Sequence, residues 1–266
     1  MSDPSVRSGP PRAPMSAWRM DAVAPLSPNG WLRHDAVMHL FPSSGATDVL
    51  EIGCGQGGFG ARLAQRHRYL GIEPDHASFT VAEQRLRHAG GGEVRNARLE
   101  LLEPGQFDVV CAFEVLEHLD DDTAALAAWV ERVRPGGLLL LSVPAYQRRY
   151  AAADELVGHF RRYDPGPLHN LLTAAGLVDV RIRHYGMPLG YVLEGGRNLI
   201  ARRRLRAAGS TSPQQRSAGS GRLLQPSSGL RGALNRCGSA PFRLLQRAFP
   251  KTGPGLVAAA RRPAGP

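Results

Sequence analysis

Apolar residues along this chain fall into short runs, and stretches of mixed polarity separate them. Val49-Leu50-Glu51-Ile52, Tyr69-Leu70-Gly71-Ile72, Val109-Val110-Cys111-Ala112 and Leu138-Leu139-Leu140-Leu141 are such runs. Short and almost wholly apolar, they predict strands buried on both faces. Strands are expected near 48–53, 68–73, 93–97, 107–112 and 137–143, with helices near 57–66, 75–89 and 122–133 between them. This alternation predicts an α/β fold with a parallel doubly wound sheet. Ahead of it, residues 29–40 read as an amphipathic helix through Trp31, Val37, Met38 and Leu40, of the kind that covers a pocket. Behind it, Asp164-Pro165-Gly166-Pro167 starts a helix that Gly176 closes, and Leu177 to Ile182 follows as a sixth strand. Residues 187–206 look helical, 207–230 are rich in Ser, Gly, Pro and Gln and read as a flexible loop, and a helix is expected near 240–248. Gly255 to Ala260 is a last apolar run.

Val49 to Gly60 carries the most information, because a buried strand runs there into the glycine turn Gly53-Cys54-Gly55-Gln56-Gly57-Gly58 and then opens a helix. Only glycine lets a backbone turn this tightly and approach a nucleoside closely. A lone pattern of this kind is weak evidence. Twenty residues after Gly53, however, Glu73 ends the next apolar run, where a carboxylate can accept both hydroxyls of a ribose. These features alone suit a nicotinamide dinucleotide as well as S-adenosylmethionine, and three others favour the latter. Glu51 lies inside the strand, where its carboxylate can point at the turn. The run from Phe107 ends in Glu114-Val115-Leu116-Glu117-His118. Arg134-Pro135-Gly136-Gly137 breaks a helix and launches the leucine run.

With these motifs the chain resembles the class I S-adenosylmethionine-dependent methyltransferases, and more narrowly the group of the ubiquinone-biosynthesis O-methyltransferases. The resemblance covers residues 29–185 through E-x-G-C-G-x-G, the acidic end of the second strand, E-V-L-E-H and R-P-G-G. It implies a Rossmann-like seven-stranded sheet of order 3-2-1-4-5-7-6, with helices on both faces and Gly255–Ala260 as an antiparallel seventh strand. The expected organisation is a disordered leader over 1–16, a core over 17–185, a basic helical insertion over 186–253 that acts as a lid, and the final strand and tail over 254–266. The resemblance also implies a cofactor site of Glu51, Gly53, Cys54, Gly55, Gly57, Glu73, Pro74, Leu99, Phe113 and Glu114. Leu99 stands in Arg98-Leu99-Glu100-Leu101, which lacks the Asp-Ala or Asp-Leu pair usual in the family.

Glu114, Glu117 and His118 are spaced by three and four residues and would share one face of a helix. Two carboxylates and an imidazole suit Mg²⁺, Mn²⁺ or Zn²⁺, and E-x-x-E-H resembles the metal motif of small-RNA 2′-O-methyltransferases. His159, in Gly158-His159-Phe160-Arg161-Arg162-Tyr163, would complete that shell. The alternative is that Glu117 and His118 only satisfy local backbone groups. Without a metal, His118 or His159 is the general base, as a neutral imidazole accepts a proton near physiological pH. Tyr146, Arg161 and Tyr163 are expected to shape the acceptor site, unless the arginines pair with Asp154 or Glu155.

At 266 residues the chain is long enough for one full core with an appendage. Its net charge of +10 is unevenly spread: fourteen of the 33 basic residues, and none of the 23 acidic ones, lie after residue 194, so residues 1–194 carry a net −4. Lys251 is the only lysine. Cys54, Cys111 and Cys237 show no paired or metal-like spacing, which points to a reducing compartment, and no apolar run is long enough for a membrane span, so a cytoplasmic location is expected. The expected activity is methyl transfer to a small-molecule acceptor, at a hydroxyl oxygen. RNA 2′-O methylation through the basic appendage is the alternative, although that segment offers only Phe242 and Phe249 as stacking rings. A non-catalytic cofactor-binding protein is a further one. The Arg-rich helix at 197–206 could touch a membrane surface in any of these cases.

Overall fold

The computed structural model describes residues 26–42, 48–207 and 230–265. The leader expected over 1–16 and nearly all of the polar loop expected over 207–230 lie outside these residues. Seven strands form one sheet: β1 Asp48–Ile52, β2 Arg68–Ile72, β3 Glu93–Arg95, β4 Phe107–Phe113, β5 Val133–Pro144, β6 Val178–Tyr185 and β7 Gly255–Arg261. Their order is β3-β2-β1-β4-β5-β7-β6, the order expected. The first five pair in parallel, and β7 runs antiparallel to both β5 and β6.

Successive strand residues face opposite sides, so the apolar runs feed two cores at once. Leu50, Ile52, Val110, Leu139 and Leu141 pack under helices α4 (Asp122–Glu131) and α6 (Pro165–Ala174), against Leu126, Trp129, Leu168 and Leu172. Val49, Val109, Cys111, Leu138 and Leu140 pack under α1 (Pro28–Leu40), α2 (Gly60–Leu63) and α3 (His76–Ala89), against Leu32, Val37, Leu63 and Leu86. Each fully buried leucine contributes about 1.5–3 kcal/mol by leaving water. β7 lies between two strands and under both layers, and its inner residues Ala258, Ala259 and Ala260 are small enough to be fully buried there.

Three elements depart from the sequence expectation. α2 is a single turn rather than a helix over 57–66, because the glycine turn holds the backbone at positive φ as far as Gly57. β5 begins at Val133, so Arg134-Pro135-Gly136-Gly137 lies inside a strand and does not break a helix; the pairing with β4 shifts register there. α8 (Leu230–Ala248) starts ten residues before the expected helix and keeps Pro241 within it.

Helix α1 starts at Ser27, whose hydroxyl accepts from Gly30 N at 3.1 Å. Residues of α8 tie it down from outside: Gln246 Nε2 donates to Leu32 O at 3.0 Å and Arg247 pairs with Asp35. α7 (Leu189–Ala207) lies against α5 (Ala152–Val157). No helix among the described residues is long and apolar enough to cross a membrane.

Candidate active site

A cavity of about 1160 Å³ opens at the carboxyl ends of β1, β2 and β4, where the strand order reverses. Pockets for small ligands measure roughly 300–1,000 Å³, so this one is large for its kind.

One end is made of backbone. Gly53 turns at φ 66°, and a Cβ there would lie 2.7 Å from Val115 Cγ2, so nothing larger fits. Gly55, at φ 55°, has open space where a Cβ would be, and its N–H donates to Glu73 Oε2 at 2.8 Å. The other Glu73 oxygen accepts from Asp75 N at 2.8 Å, and Asn96 Nδ2 donates to Glu73 O at 2.8 Å. Glu73 is thus fixed against the turn; burial raises its pKa while the two backbone donors oppose the rise. Glu51 is buried, and Tyr69 OH donates to its Oε2 at 2.6 Å. One of its oxygens is thus committed to β2, and burial pushes its pKa up to about 7.

Of the expected cofactor residues, Glu51, Gly53, Cys54, Gly55, Glu73, Pro74, Leu99, Phe113 and Glu114 line the cavity. Gly57 does not: a Cβ there would meet Ala82 of α3 at 3.0 Å, so this glycine serves the packing of helix on turn.

The other end is made of side chains from distant segments. Glu114, at the tip of β4, holds φ 58°, an uncommon conformation for a residue with a Cβ. Its Oε1 accepts from Ser142 Oγ at 2.9 Å and Tyr185 OH at 3.2 Å, and Arg33 of α1 lies 3.6 Å away. Burial disfavours its charge, yet Arg33 and these donors hold its pKa below the usual value. Residues 116–118 form a single 3₁₀ turn, not a helix that continues from Glu114. Glu114 is close enough to bias the charge of Glu117, but among the described residues it is not one of the three whose ligand atoms converge, which corrects the expected one-faced trio. Glu117, His118 and His159 do converge: one ligand atom from each lies within 4.8 Å of the others.

His159 arrives after α5, where Gly158 takes φ 79° and Phe160 N donates to Glu117 O at 2.8 Å. Its Nδ1 is 2.8 Å from Asp154 Oδ1 and its Nε2 is 3.8 Å from Glu117. Against burial, His159 and Arg162 hold the Asp154 pKa down to about 2, so Asp154 is ionised and His159 Nδ1 carries the proton. The His118 ring stands at 82° to that of His159, 4.6 Å between centroids, and burial, then the neighbouring His159, lowers its pKa to about 4. Glu117 is fully buried; burial and Glu114 push its pKa well up, and neither carboxyl oxygen has a hydrogen-bond partner.

Tyr146, Arg161 and Tyr163, expected at the acceptor, do not line the cavity. Tyr146 OH is 3.0 Å from His184 Nε2, Arg161 pairs with Asp122 at 2.8 Å, and Tyr163 OH donates to Asp122 at 2.9 Å. These side chains brace the loops behind the site. Arg162 does reach it, clamped between Asp154 at 2.7 Å and Glu194 of α7 at 2.5 Å.

The sequence profile of the methyltransferase domain family matches residues 50–139. A trans-aconitate 2-methyltransferase of Deinococcus radiodurans is 30% identical over 187 residues, covering 60% of this chain and 69% of that protein. The chain belongs to the S-adenosylmethionine-dependent methyltransferases. A probable methyltransferase of this kind from Mycobacterium tuberculosis is 36% identical over 158 residues, 57% of each chain, so the match spans little more than half of that relative. A ubiquinone biosynthesis O-methyltransferase of Idiomarina loihiensis is 29% identical over 50% of this chain and 63% of its own. Among solved structures, a putative methyltransferase of Bacillus halodurans superposes with a TM-score of 0.58 at 15% identity, over 87% of this chain and 99% of that one.

Within this methyltransferase frame, sequence reasoning missed Arg33, Tyr185, Glu194 and Arg197, all of which line the cavity. Arg33 and Arg197 lie on helices whose polar residues read as solvated, and no motif marks them. The α1 helix as a cover over the pocket was the available signal.

Proposed function

We propose that the protein transfers the methyl group of S-adenosylmethionine to a hydroxyl oxygen of a small-molecule acceptor. The supporting observation is the Gly55–Glu73 contact at 2.8 Å, which puts a carboxylate and an open glycine turn on one cavity wall, opposite an imidazole pair. In this reading Glu73 and Pro74 take the ribose, Leu99 walls the adenine, and Gly53, Cys54, Gly55 and Phe113 hold the methionine part. A cationic group of the cofactor beside Glu51 would draw that buried carboxyl into its ionised form. Glu114 then faces the reacting end, its charge balanced by Arg33.

Displacement at a sulfonium loses charge in the transition state, so the protein's main task is to align the reactants and keep water out. The acceptor proton needs a taker. His118, neutral near pH 7, and His159, whose Asp154 bond leaves Nε2 free toward the cavity, are the candidates. α7 closes this end through Glu194, Arg197 and Ile200, which makes the first helix of the 186–253 insertion the cover that selects the acceptor.

Glu117, His118 and His159 also fit a divalent cation, because the two unpartnered, fully buried Glu117 oxygens are what a cation would satisfy. Bound there, it would lower the pKa of an acceptor hydroxyl. The small-molecule reading is favoured over RNA because several arginines of the basic appendage are engaged within the fold. Arg236 and Arg243 lie over the Trp31 ring, Arg247 pairs with Asp35, and Arg262 donates to Val133 O at 2.8 Å.

The test is a screen of hydroxylated acceptors with labelled methyl donor, with and without chelator, in wild type and His118→Ala. Chelator-insensitive turnover ends the metal proposal, and full activity in His118→Ala removes His118 as base. Calorimetry showing preference for NAD over S-adenosylmethionine would overturn the cofactor assignment.

A further inference from the structure

Among the described residues the charges at the acceptor end do not cancel: of the arginines there, Arg197 and the more exposed Arg204 of α7 have no carboxylate partner. Glu114 has Arg33 at 3.6 Å, Asp154 has Arg162 and His159, and Glu194 is held by Arg162 at 2.5 Å and Arg149 at 2.6 Å. Every ionised carboxylate there is thus matched. Arg197 is not: it lies one turn beyond Glu194 on α7, lines the same cavity, and makes no ion pair with any described residue. Its Nε is buried without a hydrogen-bond partner, and so is Nε of Arg33 across the cavity. No later part of the chain supplies an acid, since residues 195–266 contain no Asp or Glu.

A guanidinium presents five donors in a fixed fork that fits a carboxylate or phosphate through two parallel bonds, and leaving it partly desolvated and unmatched is costly. Both arginines face Tyr185, whose hydroxyl lies at the Glu114 tip, so the unmatched charge sits beside the reacting end. Leu156, Val157 and Ile200 line the same end and provide apolar surface.

Resting on the methyltransferase reading, we infer that the acceptor carries an anionic group, carboxylate or phosphate, on an apolar body, and that Arg197 with Arg33 seats that group. The site thus selects acidic amphiphilic acceptors over their neutral counterparts.

Calorimetric titration of the protein saturated with S-adenosylhomocysteine tests this, with octanoate, octyl phosphate and octanamide as probes. At least one anion should bind about ten-fold or more tightly than the amide, and which one does separates carboxylate from phosphate. Arg197→Met should abolish that preference, Arg197→Lys should retain most of it, and neither should change affinity for S-adenosylhomocysteine. Equal binding of amide and anions, or an unchanged preference in Arg197→Met, overturns the inference. A wild type that does not bind S-adenosylhomocysteine fails differently: it overturns the methyltransferase reading and this inference with it.

Discussion

The two ends of the cavity are built from different materials. At the β1–β2 end, the shape comes from backbone: positive-φ glycines, an amide donated to Glu73, and a side-chain amide clamping the chain at Glu73 O. At the α5–α7 end, it comes from a linked chain of polar and charged side chains, Arg149–Glu194–Arg162–Asp154–His159, in which Glu194 of α7 joins residues of the 149–162 segment. The first tolerates no change in conformation and little in size. The second tolerates no change in charge. A scaffold that keeps one cofactor while changing acceptors benefits from this division.

The sharpest way to break the contrast is Arg162→Ala, which leaves Asp154 and Glu194 buried beside each other without their shared cation. It should cost about 3–5 kcal/mol in urea denaturation while S-adenosylhomocysteine affinity stays within about three-fold. An equal loss in cofactor affinity would show that the two ends are one unit.

Glu51→Gln acts at the opposite end, through pH. The Glu51 pKa of about 7 lies above the ordinary 4.5, so its protonated form is favoured in the folded state. That stabilisation is full below pH 4.5 and is lost as pH rises through 7. The glutamine variant cannot ionise, and at pH 8 it should be about 2–3 kcal/mol more stable than wild type, with the difference vanishing at pH 4.5. A pH-independent difference between the two denaturation curves sinks this account.

Gly55→Ala separates shape from stability. With no atom within 4 Å of the added methyl, its stability cost is the positive-φ strain alone, about 1–2 kcal/mol. S-adenosylhomocysteine affinity should drop about ten-fold or more, as the methyl enters the cavity. Unaltered binding would place the cofactor elsewhere.

The smallest effect belongs to His34 on α1, packed between Trp31 and Phe59, with a pKa lowered to about 3 by burial and then by Arg62. A depressed folded pKa gives stability that is present above 6.5 and lost as pH falls toward 3. Wild type should lose about 1 kcal/mol between pH 7.5 and 5.5 that His34→Phe does not. Equal losses in the two proteins would exclude His34 as the source.

The sheet was legible because its strands are continuous apolar runs, and burial on both faces leaves no other reading for Leu138 to Leu141. The glycine turn and Glu73 were legible because backbone demands are local and leave a glycine at each place. The acceptor end was not. Glu117 and His118 were recognised, but the positive φ at Glu114 and the 3₁₀ turn after it, which leave Glu114 outside their cluster, are invisible in spacing. Tyr146, Arg161 and Tyr163 read as site residues because polar side chains after a strand usually face a pocket, yet Asp122 and His184, distant in sequence, had already claimed them. Arg33 and Arg197 gain meaning only once α1 and α7 are placed over the same space.

The strand order also bears on the acceptor end. Among the described residues β6 pairs in the sheet only with β7, which is the last strand among them. Without β7, β5 would end in an open edge and β6 would lose its pairing. Pro254, just before β7, and Gly255, at its start, line the cavity, so the acceptor end leans on a strand that follows the 186–253 segment, whereas the glycine turn and Glu73 follow the first two strands.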